Sequence, residues 1–374
     1  MARYRGPIFD VDVHHRPHRD LDLLAYLPNR WHDLVRGGGQ STFAITPPFP
    51  DGVLAASGIN RDDSKPTNGV RAGSDYATLC EQLLDTEEDY RVLLTHQTGE
   101  HGGHANQYFA RDLARAMNNW TVDSWLSLDS RIFAPITIPL AEPEEAAREI
   151  ARMADHPQMI AVLIAGNVLG RPLGDPLYHP IFEAAAERGL PIVCHISLLG
   201  RPNVGTLAAG GRLSFLSATT QTSQQVMHYV SSLIVHGVFE KFPGLKFLFT
   251  EYGVGWLPYG MMRLDDGYSL LKAESPWVKR LPSEYVRDHI RLSTQPLEES
   301  FDNRSALFDL LGTVEGVEDI ICFSSDYPHG TMDDPKYIVR RLPESWRDKV
   351  LFRNACALFG LPENATPALT NASR

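Results

Sequence analysis

Aspartate and histidine recur at alternate positions in Asp10-Val11-Asp12-Val13-His14. Carboxylate oxygens beside imidazole nitrogens are ordinary ligands for a divalent cation such as zinc or manganese. If this stretch is a β-strand, successive side chains point to opposite faces. Asp10, Asp12 and His14 then share one face, and Phe9, Val11 and Val13 the other. Three polar groups in a row on a buried face are costly without a partner, and a metal ion at the C-terminal end of the strand satisfies them.

Three more ionisable residues close apolar runs further along the chain. His195 ends Pro191-Ile192-Val193-Cys194, Glu251 follows Phe247-Leu248-Phe249-Thr250, and Asp326 ends Ile320-Ile321-Cys322-Phe323-Ser324-Ser325. Taken singly, each has an ordinary explanation: a core imidazole on a carbonyl, an acceptor at a helix start, a turn former before Pro328. They acquire chemistry only in a fold that gathers strand ends at one place.

The chain reads as such a fold. After the first strand, Asp20 to Trp31 carries a short helical turn, and Gly37 to Asp75 is a long insertion rich in glycine and proline, a candidate lid or substrate wall. Strands are then expected at 90–95, 131–136, 159–164, 191–195, 245–251, 289–295 and 319–326. Helical spacing falls between them at 76–89, 106–125, 142–154, 176–188, 222–236, 255–271 and 301–311. Helices at 337–341 and 346–359 finish the pattern. Alternation of this kind, eight strands long, is what a (β/α)8 TIM barrel requires, and active sites of that fold sit where the strand C-termini converge. A doubly wound sheet competes, but no G-x-G-x-x-G or P-loop turn follows any strand. The expected organisation is one barrel domain over residues 1–361, with the insertion at 37–75, and a polar tail over 362–374. Asp12, His14, His195, Glu251 and Asp326 then crowd one rim, where they repel or sit desolvated unless a cation organises them.

Bulk properties narrow the partners. A formal net charge of −11 over 374 residues argues against nucleic acid or an anionic membrane surface. No apolar run approaches the roughly twenty residues that span a bilayer, and Met1 to Gly6 leads into a strand without the apolar core of a signal peptide. Cys80, Cys194, Cys322 and Cys356 lie far apart with no C-x-x-C pair, which suits a reducing cytoplasm and argues against a zinc–thiolate site.

With these residues in view, the sequence resembles the amidohydrolase-related (amidohydrolase 2) family, the branch of the metal-dependent amidohydrolase superfamily that includes the aminocarboxymuconate semialdehyde decarboxylases. The resemblance is carried by Asp10-Val11-Asp12-Val13-His14, Leu190-Pro191-Ile192-Val193-Cys194-His195 and Phe323-Ser324-Ser325-Asp326-Tyr327-Pro328-His329. Supporting stretches are Asp175-Pro176-Leu177-Tyr178-His179-Pro180, Phe242-Pro243-Gly244-Leu245-Lys246, Gly255-Trp256-Leu257-Pro258-Tyr259 and Asn354-Ala355. It implies one divalent metal, zinc or alternatively manganese, held by Asp12, His14, His195 and Asp326. It also implies a homodimer. Two departures stand out: Glu251 replaces a histidine that many members, including the characterised decarboxylases, carry on the sixth strand, and no lysine closes the fourth strand, which speaks for a mononuclear site.

The leading expectation is a metal-dependent hydrolase that uses metal-activated water on an amide, lactone or related carbonyl compound. It is motivated by the rim group and by the carboxylate where decarboxylases have histidine. Asp326 is the candidate general base, Glu251 the second, and His195 a neutral ligand. His15, Arg16, His96, Gln97 and His329 are candidate substrate contacts, Arg16 for a carboxylate. The alternative is a non-oxidative decarboxylase (carboxy-lyase) of an aromatic or enoic acid. A third reading is a non-catalytic binding protein stapled by its metal.

Overall fold

The computed structural model describes residues 4–38, 69, 71–96, 104, 106–165, 170–196, 215–298, 302–303, 305–330 and 332–363. Most of the 37–75 insertion, Gln97 and most of the 362–374 tail lie outside them. Eight strands appear in chain order: β1 (Ile8–His15), β2 (Tyr90–His96), β3 (Ile132–Thr137), β4 (Met159–Ala165), β5 (Ile192–His195), β6 (Phe247–Thr250), β7 (Ile290–Ser293) and β8 (Ile321–Cys322). Each pairs in parallel with the next, in the order β1 to β8. The last returns to the first. Val11 N–H donates to the Phe323 carbonyl at 3.0 Å, Asp326 N–H to the Asp12 carbonyl at 3.0 Å, and His14 N–H to the Tyr327 carbonyl at 2.7 Å. The expected TIM barrel is the fold observed.

Two apolar layers hold it. Phe9, Val11, Leu93, Phe133, Leu163, Val193 and Leu248 fill the barrel interior, and Phe352, Ala355 and Phe359 close its N-terminal end. Phe9 packs between Phe133 and Phe359, with ring centroids 5.7 and 5.6 Å away. Between strands and helices lies the larger core, to which Tyr90, Val92, Ile132, Val162, Phe247 and Leu292 contribute. Parallel strands buried on both faces are expected to read as nearly continuous apolar runs, as these do.

Four local features depart from the sequence expectations. The strand expected at 319–326 pairs in a ladder only over Ile321–Cys322, and the segment beyond runs beside β1 through the three bonds above. A helix absent from the expectations forms over Pro282–His289; at eight residues it is short, and proline at its first position pre-sets the backbone. Another forms over His32–Gly38, partly within the expected insertion. Finally, β1 pairs Asp10 with Val92 but Val13 with Leu94, so two residues face one on the neighbouring strand. This is a β-bulge, and it shifts the alternation by one.

Candidate metal centre

The bulge decides which residues of β1 reach the rim. Phe9 and Val11 lie in the interior layer, whereas Ile8 and Val13 belong to the helix-facing core. Asp12 and His14 follow the shift and face inward. Asp10 does not join them, contrary to simple alternation: its Oδ2 accepts a hydrogen bond from Tyr90 Oη at 3.0 Å, and Tyr90 is part of the helix-facing core. Asp10 Oδ1 accepts from the amides of Ser325 at 2.9 Å and Asp12 at 3.3 Å. Burial pushes its carboxyl up to about 7 in spite of these bonds. Asp10 thus ties the bulge to the segment that carries Asp326.

At the rim the remaining strand ends converge as expected. Asp12, His14, His195 and Glu251 offer ligand atoms that all lie within 4.8 Å of one another, and so do His14, Glu251, Asp326 and His329. His14 Nε2 is 3.0 Å from Asp326 Oδ1, 3.2 Å from Glu251 Oε1 and 3.8 Å from Asp12 Oδ1. His195 Nε2 is 3.0 Å from Glu251 Oε1 and 3.7 Å from Asp12 Oδ2. Glu251 is therefore the centre of the group rather than an outlying base. Among the described residues, Glu251 (φ 66°) and Asp326 (φ 61°) are the only non-glycine positions with positive φ. Left-handed backbone at such residues costs on the order of 1 kcal/mol or more and persists where the surroundings impose it. Here it turns both carboxylates inward.

The donor set fits a divalent cation. One oxygen of Asp12 accepts from Thr95 Oγ1 at 2.7 Å, while Oδ2 is buried without a hydrogen-bond partner among the described residues. Thr250 Oγ1, in register with His195, is buried and unpartnered as well. His195 Nδ1 donates to the Ile196 carbonyl at 2.7 Å, which leaves its Nε2 for a ligand role. Among the protein groups alone the charges are strongly unequal. Burial lowers the affinity of His195 for a proton, but Glu251 and Asp12 overcome that and hold it at about 10. Burial alone raises Glu251; the His195 and His14 rings outweigh it and hold the carboxyl well below its usual range. Asp326 moves the other way, raised by burial and then by the charge of Glu251. The two overlapping groups share His14 and Glu251, and carboxylates gathered with imidazoles in this way are the donor chemistry that a divalent cation takes.

The candidate substrate contacts divide. His329 belongs to the rim: its Nδ1 lies 2.5 Å from Asp326 Oδ1, and its ring is 4.4 Å from that of His14. Arg16 follows β1 directly and is half-buried, with its amide donating to the Gly73 carbonyl at 3.0 Å. His96 ends β2 beside His15. His15 is not brought to the rim. It is 1 % exposed on the helix-facing side, with Nδ1 2.8 Å from the Thr95 carbonyl, Nε2 3.0 Å from Thr121 Oγ1, and its ring stacked on Trp120. Burial lowers it to about 3, so it is a neutral structural peg. Alternation from His14 places it there. Thr95, which nothing in the sequence sets apart from other strand threonines, is the residue opposite His14 in the β1–β2 ladder and touches two of the candidate ligands.

No helix among the described residues is long and apolar enough to cross a membrane. The family model described as Amidohydrolase matches residues 11–361. A gamma-resorcylate decarboxylase of Polaromonas sp. (strain JS666 / ATCC BAA-500) is 26 % identical over 316 residues, which cover 78 % of this chain and 93 % of that protein. Among solved structures, a dihydroxybenzoic acid decarboxylase from Polaromonas sp. JS666, with bound manganese and the inhibitor 2-nitroresorcinol, superposes with a TM-score of 0.64. The two are 18 % identical, over 95 % of this chain and 97 % of that one. An amidohydrolase from Mycobacterium avium subsp. paratuberculosis K-10 superposes with a TM-score of 0.69 at 22 % identity, covering 96 % of this chain and all of its own.

Proposed function

The chain belongs to the amidohydrolase family, and from that membership and the rim group we propose that it is a divalent-metal-dependent carboxy-lyase, releasing carbon dioxide without oxidation from a hydroxylated aromatic acid. The observation that carries the proposal is the likeness to gamma-resorcylate decarboxylase, which runs through 93 % of that protein's length. It moves decarboxylation ahead of the hydrolysis that the sequence alone favoured.

Asp12, His14, His195, Glu251 and Asp326 would hold the ion. Five oxygen and nitrogen donors, three of them carboxylates, suit manganese better than zinc, which prefers four ligands. The manganese in the superposed decarboxylase supports the same choice. When bound, the cation supplies Lewis-acid attraction for the substrate's oxygens and offsets their charge. The residues of the chain do the rest. Arg16 is the proposed contact for the substrate carboxylate. His329 Nδ1 lies 2.5 Å from Asp326 Oδ1, which orients the ring, and His329 is the proposed proton donor, through Nε2. In the reaction the bond between ring carbon and carboxylate carbon breaks, its electron pair stays on the ring carbon, and that carbon takes the proton. Asp326 keeps the imidazole oriented throughout.

Hydrolysis of an amide or lactone is the second reading, favoured by Glu251, a carboxylate able to take a proton from water where the resembled decarboxylases have histidine. Cys80, Cys194, Cys322 and Cys356 are free thiols, which supports a cytoplasmic enzyme. A homodimer and one catalytic unit over residues 1–361 complete the proposal.

The test is carbon dioxide release by manganese-loaded protein from 2,6-dihydroxybenzoate and 5-carboxyvanillate, the acids of superposed decarboxylases, and from a wider hydroxybenzoate panel. Turnover that chelation abolishes and manganese restores is expected. Silence across the panel, with hydrolysis of a lactone or anilide, would replace the proposal with the second reading.

A further inference from the structure

The Thr95 hydroxyl touches two candidate ligands at once, Asp12 Oδ1 at 2.7 Å and His14 Nδ1 at 3.1 Å. A threonine hydroxyl has one proton and two lone pairs. A carboxylate that binds a cation is ionised and only accepts, so the proton of Thr95 goes to Asp12. The contact with His14 is then a hydrogen bond only when Nδ1 carries the ring proton and donates it to Thr95. That tautomer leaves the Nε2 lone pair facing Asp326 Oδ1 at 3.0 Å and Glu251 Oε1 at 3.2 Å.

We infer that Thr95 is the positioning residue of the metal centre: its single hydroxyl sets the His14 tautomer and aims His14 Nε2 and Asp12 Oδ2 at the same point. The inference rests on the proposed metal dependence.

Three observations bear on it besides the two distances. Thr95 is fully buried, at 0 % exposure, so its hydroxyl is out of contact with bulk solvent. Its main chain is held from behind the sheet, where His15 Nδ1 donates to the Thr95 carbonyl at 2.8 Å and Trp120 and Thr121 fix the His15 ring. The oxygen of Asp12 that Thr95 does not engage is Oδ2, buried without a hydrogen-bond partner among the described residues and 3.7 Å from His195 Nε2. The Ile196 carbonyl does for His195 what Thr95 does for His14, so both imidazoles are presented through Nε2. A threonine that merely filled space would be indifferent to replacement by valine, which has the same shape and no hydroxyl.

The experiment compares the wild-type protein with Thr95→Val and Thr95→Ser. Manganese dissociation constants are measured by equilibrium dialysis, and the histidine tautomers by NMR of isotope-labelled imidazoles in the zinc-loaded protein. Loss of one such partner weakens metal binding by about 10–100-fold, and that is expected of Thr95→Val. Thr95→Ser restores affinity close to wild type. In the wild type the His14 ring proton is expected on Nδ1. A folded Thr95→Val that binds manganese as tightly as wild type overturns the inference, as does a ring proton on Nε2 of His14. Should the valine variant fail to fold, the tautomer measured in the wild-type protein decides alone. A wild-type protein that binds no divalent ion rejects the metal reading itself. That result differs from one in which wild type and Thr95→Val bind equally well.

Discussion

Glu251 Oε1 lies 3.0 Å from His195 Nε2, inside the group that the sequence assigns to metal ligands rather than beside it. Glu251→Gln keeps the shape and removes the charge, so manganese affinity is expected to fall by roughly tenfold or more. The loss should be larger for manganese than for zinc, because an anionic oxygen donor matters more to the harder ion. Paired titrations of the two metals check both statements. Unchanged affinity for both metals would place Glu251 outside the coordination sphere.

The backbone at Glu251 allows a second comparison. Its φ of 66° favours glycine, and Glu251→Gly and Glu251→Gln both lack the carboxylate. They differ in the cost of holding a side chain in the left-handed region. Glu251→Gly is expected to be the more stable of the two by about 1 kcal/mol, read from denaturant unfolding of chelator-treated protein, with both impaired in catalysis.

His329 is the proposed acid, and Asp326 its orienting partner. His329→Gln is expected to lower kcat by about 100–10,000-fold with little change in KM, because loss of a proton donor acts on the transition state. Steady-state kinetics on the best acid of the panel provide the check. An unchanged kcat would move the acid to another group.

The barrel and the identity of its rim residues were legible because strand–helix alternation is periodic and because ionisable residues end apolar runs. Asp12, His14, His195, Glu251 and Asp326 were found in this way. The bulge is not legible: nothing in Asp10-Val11-Asp12 announces an extra residue, and simple alternation puts Asp10 on the face of Asp12 and His14, which it does not share. Thr95 escaped because threonine is common in strands, and only the contact with Asp12 and His14 distinguishes it. The helix Pro282–His289 was too short for its spacing to register. His15 ends the first strand, which makes it a candidate contact in the sequence, but alternation from His14 sends its side chain to the opposite face.

Arg91 shows what the other end of the barrel does. It is fully buried near the start of β2, with Nε and Nη2 on Asp89 at 3.1 and 3.0 Å, Nη1 on the Pro362 carbonyl at 2.9 Å, and its guanidinium 4.8 Å from the Phe352 ring centroid. Arg91→Met keeps the apolar stem and strands Asp89 and the Pro362 carbonyl. A loss of about 2–4 kcal/mol in unfolding free energy is expected, tempered by the partial exposure of Asp89. Activity per folded molecule should be unchanged, because residues at the N-terminal face of this fold serve stability.

Asp129 offers a pH test remote from the metal centre. Its carboxylate accepts hydrogen bonds from Arg131 Nη2 at 2.7 Å, from the Arg131 amide at 2.8 Å and from Tyr76 Oη at 3.0 Å. Burial alone would raise its pKa; the bonds from Arg131 and Tyr76 prevail and hold the carboxyl below the usual aspartate range. A folded-state pKa below the unfolded one means that the unfolded chain binds the proton more readily. The contribution of Asp129 is therefore fully present above about pH 4 and is lost as pH falls through the lower, folded value. Asp129→Asn is expected to cost about 1.5–3 kcal/mol at neutral pH, the range for hydrogen bonds to a charged group. The gap between wild type and variant should hold constant from neutrality down to about pH 4 and narrow below it. Urea unfolding of both proteins across that range measures the gap directly. A gap that stays constant to the lowest accessible pH would mean that Asp129 titrates alike in the folded and unfolded chains.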